Sequence, residues 1–341
     1  MELTMRDHLD KLTDAMADSG TDVLLLGRPG NARWVTGAES LWLSGSRAFA
    51  PSCVVVREPA SVHLLSVTDE GVPADVVPST NLFPISWNPM NLMGAIAAVP
   101  GVAGAARIGV DSITPMMEQM LNATFPSAEF VDGESLLRQV RRVKSDADVA
   151  GIRAAVALAE DCSRATLDAL VPGVRERELV GVFEDRMADG GVSTPAFEGM
   201  FVVADGTART LATDRVIRAG DLVHLRGGVL RDGWEGWLSR SAVCGAAPTD
   251  ALRRSFVSWR SATDDVLGRC VPGTRVGDLR ARGATIDGVG MGHEELADTD
   301  ELVPGNVLAV ETLVDGVLGS EIAIVGRGAP DLVTTLAHPL A

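Results

Sequence analysis

The sequence has no tyrosine, only two lysines (Lys11 and Lys144) and only four cysteines among its 341 residues. The cysteines stand singly, without a C-x-x-C pair, which argues against a zinc knuckle or a disulfide framework and suits a reducing compartment. No apolar run is long enough to span a bilayer, and the charged first segment, M-E-L-T-M-R-D-H-L-D-K-L, lacks the apolar stretch of a signal peptide. We therefore expect a cytoplasmic protein without a membrane partner.

Positive charge is also scarce in this chain. Lysine and arginine together number 30, against 46 aspartates and glutamates, and the net charge is −16. Nucleic acids and anionic lipid surfaces are bound through basic patches, so neither is expected as a partner. The chain is long enough for two domains, and its 46% apolar content is typical of a globular protein.

The first part of the chain has the pattern of an α/β domain. The predicted elements are a helix at 4–19, a strand at 22–26, a loop at 27–37, strands at 53–56 and 62–66, a helix near 90–98, a strand at 107–110, a helix near 114–122 and a strand near 128–131. This mixture of hairpins and crossovers predicts a mixed sheet with helices on its faces. We place the domain boundary after residue 138, with the second domain at 139–341.

The second part begins with a capping box at 145–148, in which Ser145 is the N-cap of a long helix. Further predicted elements are a helix at 174–188, strands near 200–204 and 222–240, a helix after Thr249 and strands at 307–314 and 322–325. The stretch 221–240 reads as a hairpin with a tight Arg231-Asp232-Gly233 turn. Two residues in it are unusual: Arg226 at the end of an apolar strand and a bulky Trp237 on the returning strand.

Six short motifs in order resemble those of the pita-bread superfamily, which includes aminopeptidase P, prolidase, methionine aminopeptidase and creatinase. The motifs are N-A-R-W-V-T-G at 31–37, R-R-V-K-S at 141–145, P-G-V-R-E at 172–176, T-D-R at 213–215, G-D-L-V at 220–223 and L-V-P-G-N-V-L-A-V-E at 302–311. The resemblance covers nearly the whole chain. It implies a creatinase-like N-terminal domain with a mixed sheet, followed by a pita-bread domain of α+β type with a pseudo-two-fold repeat.

Metallo-members of that superfamily hold two divalent ions with two Asp, one His and two Glu. Carried over by the resemblance, these five positions fall on Arg226, Trp237, Asp287, Glu311 and Glu321, so only the two glutamates are kept. We therefore expect no metal and no other cofactor. A guanidinium can bridge two carboxylates, so Arg226 is expected to replace the metal as counter-ion of both glutamates.

Several roles stay open for the candidate site residues. Glu311 and Glu321 are candidates for general acid and base, or are retained only for packing; Asp287 is grouped with them. His293 is a candidate proton shuttle or a hydrogen-bonded structural histidine. Arg226 either binds a substrate carboxylate or locks the glutamates in a structural ion pair.

The remaining candidates are predicted to line the substrate side of the site. His224 shares a strand face with Arg226, because alternate residues of a strand point the same way. Trp237 is expected to fill the volume of a lost ligand. The resemblance implies a substrate-side histidine upstream of T-D-R, and Arg209 or Thr210 stands there instead.

Three functions are compatible with these residues. The leading hypothesis is a metal-independent enzyme acting on a small, charged, amino-acid-like substrate by C–N hydrolysis, elimination or rearrangement; within the superfamily, creatinase cleaves a C–N bond without metal. The alternatives are a non-catalytic binding module and an Xaa-Pro aminopeptidase with an altered metal site. A site filled by Trp237 and its neighbours would favour the binding module. The resemblance also implies a homodimer, in which Trp42 or Arg47 is a candidate to cover the neighbouring subunit's pocket.

Overall fold

We describe a computed structural model of the chain at residues 5–39, 41, 51–84, 88–205 and 210–341. The chain divides into two compact units, Met1–Arg141 and Arg142–Ala341. None of the described helices is long and apolar enough to cross a membrane. All four cysteines are buried and unpaired.

The first unit is an α/β domain. Its elements are α1 (Met5–Ser19), β1 (Val23–Leu26), α2 (Pro29–Thr36), β2 (Cys53–Val56), β3 (Ser61–Leu65), a 3₁₀ turn (Ser79–Asn81), β4 (Leu82–Phe83), α3 (Pro89–Ala97), β5 (Arg107–Val110), α4 (Pro115–Thr124), β6 (Glu129–Asp132) and α5 (Gly133–Arg142). The strands form one six-stranded sheet in the order β4-β3-β2-β1-β5-β6. β1 pairs antiparallel with β2 and parallel with β5, so the sheet is mixed, as predicted. β1 is buried along its whole length, which explains its unbroken apolar sequence.

One predicted loop of this unit is a helix. Residues 27–37 were expected to form a loop, but α2 occupies Pro29–Thr36, with proline in its first turn and Gly37 as a left-handed C-cap. The Asp111 carboxylate accepts hydrogen bonds from the backbone N–H groups of Gly27 and Arg28, at 2.7 and 3.0 Å. This carboxylate anchors the segment that leads into the helix.

The second unit contains the remaining elements. They are α6 (Asp146–Asp168), α7 (Glu176–Asp189), β7 (Met200–Val203), β8 (Leu222–Arg231), β9 (Trp234–Val243), α8 (Asp250–Leu267), α9 (Val276–Arg280), β10 (Ala284–Gly290), β11 (Gly292–Glu294), β12 (Val307–Val314), β13 (Val317–Ile324) and β14 (Asp331–Leu332). They form a three-stranded sheet, β7-β8-β9, and a five-stranded sheet, β11-β10-β12-β13-β14. The predicted capping box of Ser145 and Asp148 begins α6.

The same turn joins the two helices of each half of this unit. The sequence V-P-G-x-R occurs at 171–175, between α6 and α7, and again at 271–275, between α8 and α9. Gly173 and Gly273 both have a positive φ, of 102° and 86°. Their N–H groups donate to the carbonyl oxygens of Ile217 and Leu302, at 2.9 and 2.8 Å. The unit is therefore built from two related helix-pair and sheet halves.

The β8–β9 hairpin positions the predicted site. Its two-residue turn, Asp232-Gly233, has a positive φ at both residues, the form that matches the twist of paired strands. The turn sets a register in which Arg226 lies opposite Ser239 and Gly228 lies opposite Trp237. A Cβ added to Gly228 would lie 2.6 Å from the Cβ of Trp237, so glycine is required there for the indole to fit.

Candidate active site on the inner sheet face

Each sheet of the second unit has a face covered by helices and an opposite face, which we call the inner face. The backbone of α6 at Ala155 packs directly on Gly236 of β9, so Glu235, Trp237 and Ser239 point to the inner face. In the larger sheet, Ile286 and Val310 pack in the core formed with α8 and α9. The candidate site is the region where the inner faces of β8, β9, β10 and β12 meet.

Arg226 is fixed at this site by contacts on three sides. Its Nε–H donates to Oε2 of Glu311 at 3.1 Å. Its guanidinium carbon lies 4.4 Å from the centre of the Phe197 ring and 4.8 Å from that of Trp237, at cation–π distance from both. Neither terminal nitrogen donates a hydrogen bond to a described residue, and 31% of the side chain is exposed. Its two terminal nitrogens thus have no acceptor in the part of the chain that the structure describes.

Trp237 fills the volume beside Arg226. Its side chain is 3% exposed and packs edge-on against Phe197, with ring centres 5.7 Å apart. Phe197 lies in the segment that runs beside β8, where the N–H of Ala196 donates to the carbonyl oxygen of Gly228 at 3.0 Å. No local motif marks Phe197, because this contact depends on strand pairing.

Glu311 is the carboxylate at the centre of the site. Its Oε2 accepts from Arg226 and also from the Ser239 hydroxyl. The Ser239 N–H donates to Oγ of Ser320 at 2.7 Å, which ties the smaller sheet to the larger one. Arg226, Trp237 and Glu311 are therefore brought together, as the sequence analysis predicted.

The predicted pairing of Glu311 with Glu321 is wrong. Glu311 lies opposite Ser320 across the β12–β13 hairpin, whereas Glu321 lies opposite Val310 and points to the helix-covered face. There the Glu321 carboxylate pairs with Arg240 at 3.6 Å and with Arg260 at 3.7 Å. Arg226 therefore neutralises Glu311 alone, and Glu321 has no place among the catalytic candidates.

A carboxyl group that the sequence analysis missed, Glu235, lies on the inner face two residues before Trp237. The residue is only 4% exposed, and its Oε2 is buried with no hydrogen-bond partner among the described residues. Burial, and then the negative charges of Asp287 and Glu294, raise the pKa of Glu235 to about 8, against an opposing effect of Arg226. The signal available in the sequence was the alternation of strand side chains, which puts Glu235 and Trp237 on one face.

Asp287 and Glu294 form the acidic side of the site. Asp287 is half-buried on β10, and it shares the inner face with Glu311 because Thr285, two residues before it, pairs with Glu311. Glu294 lies on β11 and forms a buried ion pair with Lys144, with Nζ and Oε2 2.6 Å apart. Both carboxyl groups are near enough to Glu235 to oppose its ionisation.

Of the predicted histidines and Arg209, only His224 has a described side chain. His224 shares the strand face of Arg226, as predicted; its Nε2 donates to the Gly316 carbonyl oxygen at 3.0 Å, and burial lowers its pKa. The backbone of His293 pairs with Val289, but its side chain lies outside the described part of the chain. Arg209, Trp42 and Arg47 also lie outside the described residues.

The residues of the site do not fit the dinuclear metal centre that the resemblance would imply. The guanidinium of Arg226 and the hydroxyl of Ser239 both contact Oε2 of Glu311, the oxygen that a cation would need. Trp237, which has no metal-binding atom, fills the adjacent volume. Among the described residues, no group of three or more His, Cys, Asp or Glu side chains is arranged to hold a metal ion.

Comparison with known families gives two matches along the chain. Residues 150–328 match the metallopeptidase family M24, and residues 8–143 match the creatinase/prolidase N-terminal domain. An uncharacterized peptidase of Bacillus subtilis, YqhT, is 25% identical over 254 residues, which are 73% of this chain and 68% of the relative. An Xaa-Pro dipeptidase of Pyrococcus horikoshii is 22% identical over 280 residues, which are 81% and 74% of the two chains.

Solved structures agree with this assignment of the fold. The prolidase of Pyrococcus horikoshii superposes with a TM-score of 0.79 at 17% identity and covers 98% of this chain and 100% of its own. The Xaa-Pro dipeptidase of Bacillus anthracis superposes with a TM-score of 0.80 at 17% identity, over 98% and 99% of the two chains. The predicted fold, a creatinase-like domain followed by a pita-bread domain, is confirmed.

Proposed function

The chain belongs to metallopeptidase family M24, and from that premise we propose that it is a metal-independent member that binds a small, carboxylate-bearing, amino-acid-like molecule. The observation that carries the proposal is that the Arg226 guanidinium is held in place but incompletely hydrogen-bonded. Its guanidinium is held in place by Glu311, Phe197 and Trp237, yet both terminal nitrogens are without an acceptor among the described residues.

A guanidinium held in this way is suited to bind a carboxylate. Arginine presents parallel N–H groups that match the two oxygens of a carboxylate. Because its aromatic neighbours already fix the side chain, little rotamer entropy remains to be lost when the ligand binds. The aromatic rings also provide apolar walls for the carbon chain of the ligand.

Xaa-Pro hydrolysis, the activity in the names of several relatives, is the weaker alternative. Metal-assisted hydrolysis needs a Lewis acid and an activated water, and the positions that would hold the ions carry Arg226 and Trp237. The filled volume beside Arg226 favours ligand binding over peptidase chemistry.

Turnover of the bound ligand is a second candidate function, and Glu235 favours it. A carboxyl group with a pKa of about 8 holds a proton at neutral pH and can exchange it near that pH, as a general acid or base requires. The metal-independent enzyme predicted from the sequence is thus kept as a proposal, with Glu235 taking the place of Glu321.

Calorimetric titration with short carboxylates tests the proposal. We expect acetate, propionate and butyrate to bind the native protein and to lose about tenfold to a hundredfold in affinity in Arg226→Gln, because a charge-assisted pair is lost. Arg231→Gln is the matched control, since it removes the same charge from the exposed end of the same strand. Equal affinities in the native protein and Arg226→Gln would refute the proposal.

A homodimer is part of the same proposal, on the resemblance alone. Light scattering after size exclusion is expected to give twice the mass of one chain. A monomer at micromolar concentration would remove this part and leave the site unaffected.

A further inference from the structure

Two carboxyl groups on the inner face lack a partner, just as the terminal nitrogens of Arg226 do. Oε2 of Glu235 is buried without a hydrogen bond, and the side chain of Asp287 makes no hydrogen bond or ion pair with any described residue. Neither group pairs with Arg226, whose ion-pair partner is Glu311. Among the described residues, the site thus contains a guanidinium whose two terminal nitrogens have no acceptor and two carboxyl groups that have no partner. Buried polar atoms without partners are rare in folded proteins, so Oε2 of Glu235 in particular calls for an explanation.

Arg226 and Glu235 lie on either side of Trp237. Arg226 is opposite Ser239 on the neighbouring strand, and Glu235 is four residues before Ser239, so the Cα atoms of Arg226 and Glu235 are separated by roughly 14 Å. Trp237 lies midway between Glu235 and Ser239, and the Arg226 guanidinium leans to within 4.8 Å of its ring centre. No hydrogen bond or ion pair joins Arg226 to Glu235 or Asp287, so a ligand with charges of both signs is needed to link them.

We infer that Glu235 and Asp287 form a second subsite, which binds the ammonium group of a ligand whose carboxylate is held by Arg226. The inference rests on the proposed function and narrows its ligand to a zwitterion, an amino acid or short linear amino carboxylate. The ammonium donates to the Asp287 carboxylate and to Oε2 of Glu235, which releases its proton to solvent when the ammonium binds. The methylene chain of the ligand spans the interval between Arg226 and the two carboxyl groups.

The same side of the site already accommodates one ammonium group. Lys144, whose side chain is 1% exposed, places its Nζ 2.6 Å from Oε2 of Glu294. A buried ammonium–carboxylate pair is tolerated only where the local charges compensate each other. Glu235 and Asp287 are the remaining carboxyl groups of this acidic side, and a ligand ammonium compensates them as Lys144 compensates Glu294.

The test compares amino carboxylates with their des-amino partners by calorimetric titration of the full chain. The probe pairs are glycine and acetate, β-alanine and propionate, γ-aminobutyrate and butyrate, and ε-aminocaproate and caproate. In the native protein, at least one amino member is expected to bind about tenfold or more tightly than its partner, because it adds a charge-assisted pair. In Glu235→Gln this gain is expected to disappear while the des-amino partner binds as before.

Two further variants keep the result interpretable. Asp232→Asn is the matched control, because it removes a negative charge from the exposed turn of the same hairpin, and it is expected to keep the gain. Asp287→Asn provides a second route should Glu235→Gln fail to fold, and it is expected to reduce the gain.

The possible failures are distinguishable. If carboxylates bind through Arg226 but the amino group adds no affinity, or if both Glu235→Gln and Asp287→Asn keep the gain, the ammonium subsite is refuted and the proposed function stands. If no probe binds the native protein at millimolar concentration, the proposed function fails and the subsite fails with it.

Discussion

Replacing Glu235 by glutamine tests the electrostatics of the site through the stability of the whole protein. Glu235 has a pKa of about 8 in the folded chain, against 4.5 for the free side chain. Between these values the folded state binds a proton that the unfolded state has released. The free energy of unfolding must therefore fall as the pH rises from about 5 to about 8, by at most about 1.4 kcal/mol per pH unit and on the order of 5 kcal/mol in total.

Glu235→Gln cannot ionise and should lack this fall. The measurement is urea unfolding of the native protein and the variant at pH values from 5 to 9, with the difference in unfolding free energy plotted against pH. Other titrating groups are shared by both proteins and largely cancel in the difference. We expect the variant to gain stability over the native protein as the pH rises and the difference to level off above pH 8. If the two curves of unfolding free energy against pH run parallel, Glu235 ionises normally, and the claim that it is buried and protonated at neutral pH is refuted.

Three further predictions concern the surrounding structure. Gly228→Ala is expected to lower the unfolding free energy by about 1–3 kcal/mol in urea titrations, because its Cβ would lie 2.6 Å from the Cβ of Trp237; an unchanged value would contradict the packing described. Burial lowers the pKa of His338 to about 4, so the unfolded state binds the extra proton and stability is expected to fall as the pH drops from 6.5 towards 4; His338→Asn should flatten that acid limb, and an unaltered limb would count against it. Arg240→Met removes the nearer of the two ion-pair partners of Glu321, so it is expected to destabilise the fold by roughly 3–5 kcal/mol without changing carboxylate affinity. A selective loss of carboxylate binding in this variant would mean that Glu321 does belong to the site.

The register of one hairpin explains the main error about the site. The resemblance groups Glu321 with Glu311, but the side chains of a strand alternate, so a one-residue difference in register moves a side chain to the opposite face. The turn between β12 and β13 is Asp315-Gly316, with a positive φ at both residues, like the Asp232-Gly233 turn of the β8–β9 hairpin. A two-residue turn at that place fixes Glu311 opposite Ser320. The Asp315-Gly316 dipeptide in the sequence therefore already indicates that Glu311 and Glu321 lie on opposite faces of the sheet.

The helix in the predicted loop at 27–37 could not be predicted for a different reason, which is that distant residues stabilise it. Gly30 weakens the local preference for helix, and α2 is eight residues long, too short to be stable by itself. Asn31 within it donates to Asp111 and Glu134, at 2.9 and 2.7 Å, from residues about eighty and a hundred positions away. A pattern read along the chain cannot show such contacts.

Glu235 illustrates why part of the site could not be predicted from the sequence. Its place on the inner face follows from the strand alternation, but its burial depends on β10 and β11 approaching from another part of the chain. The resemblance marks the positions of Arg226, Trp237 and Glu311. Arg226 and Trp237 replace the aspartates that it implies there, and Glu311 keeps the glutamate. No such mark exists for Glu235 or Phe197, which act through tertiary contacts alone.

Metal content tests the central claim most directly. The native protein would be dialysed against Mn²⁺, Co²⁺ or Zn²⁺, freed of loose ions by gel filtration and subjected to elemental analysis, with Arg226→Asp/Trp237→Asp as a variant that restores two carboxylates. Because Arg226 and Trp237 stand where the ions would bind, we expect the native protein to retain no stoichiometric metal. Two tightly held ions per native chain would contradict the account.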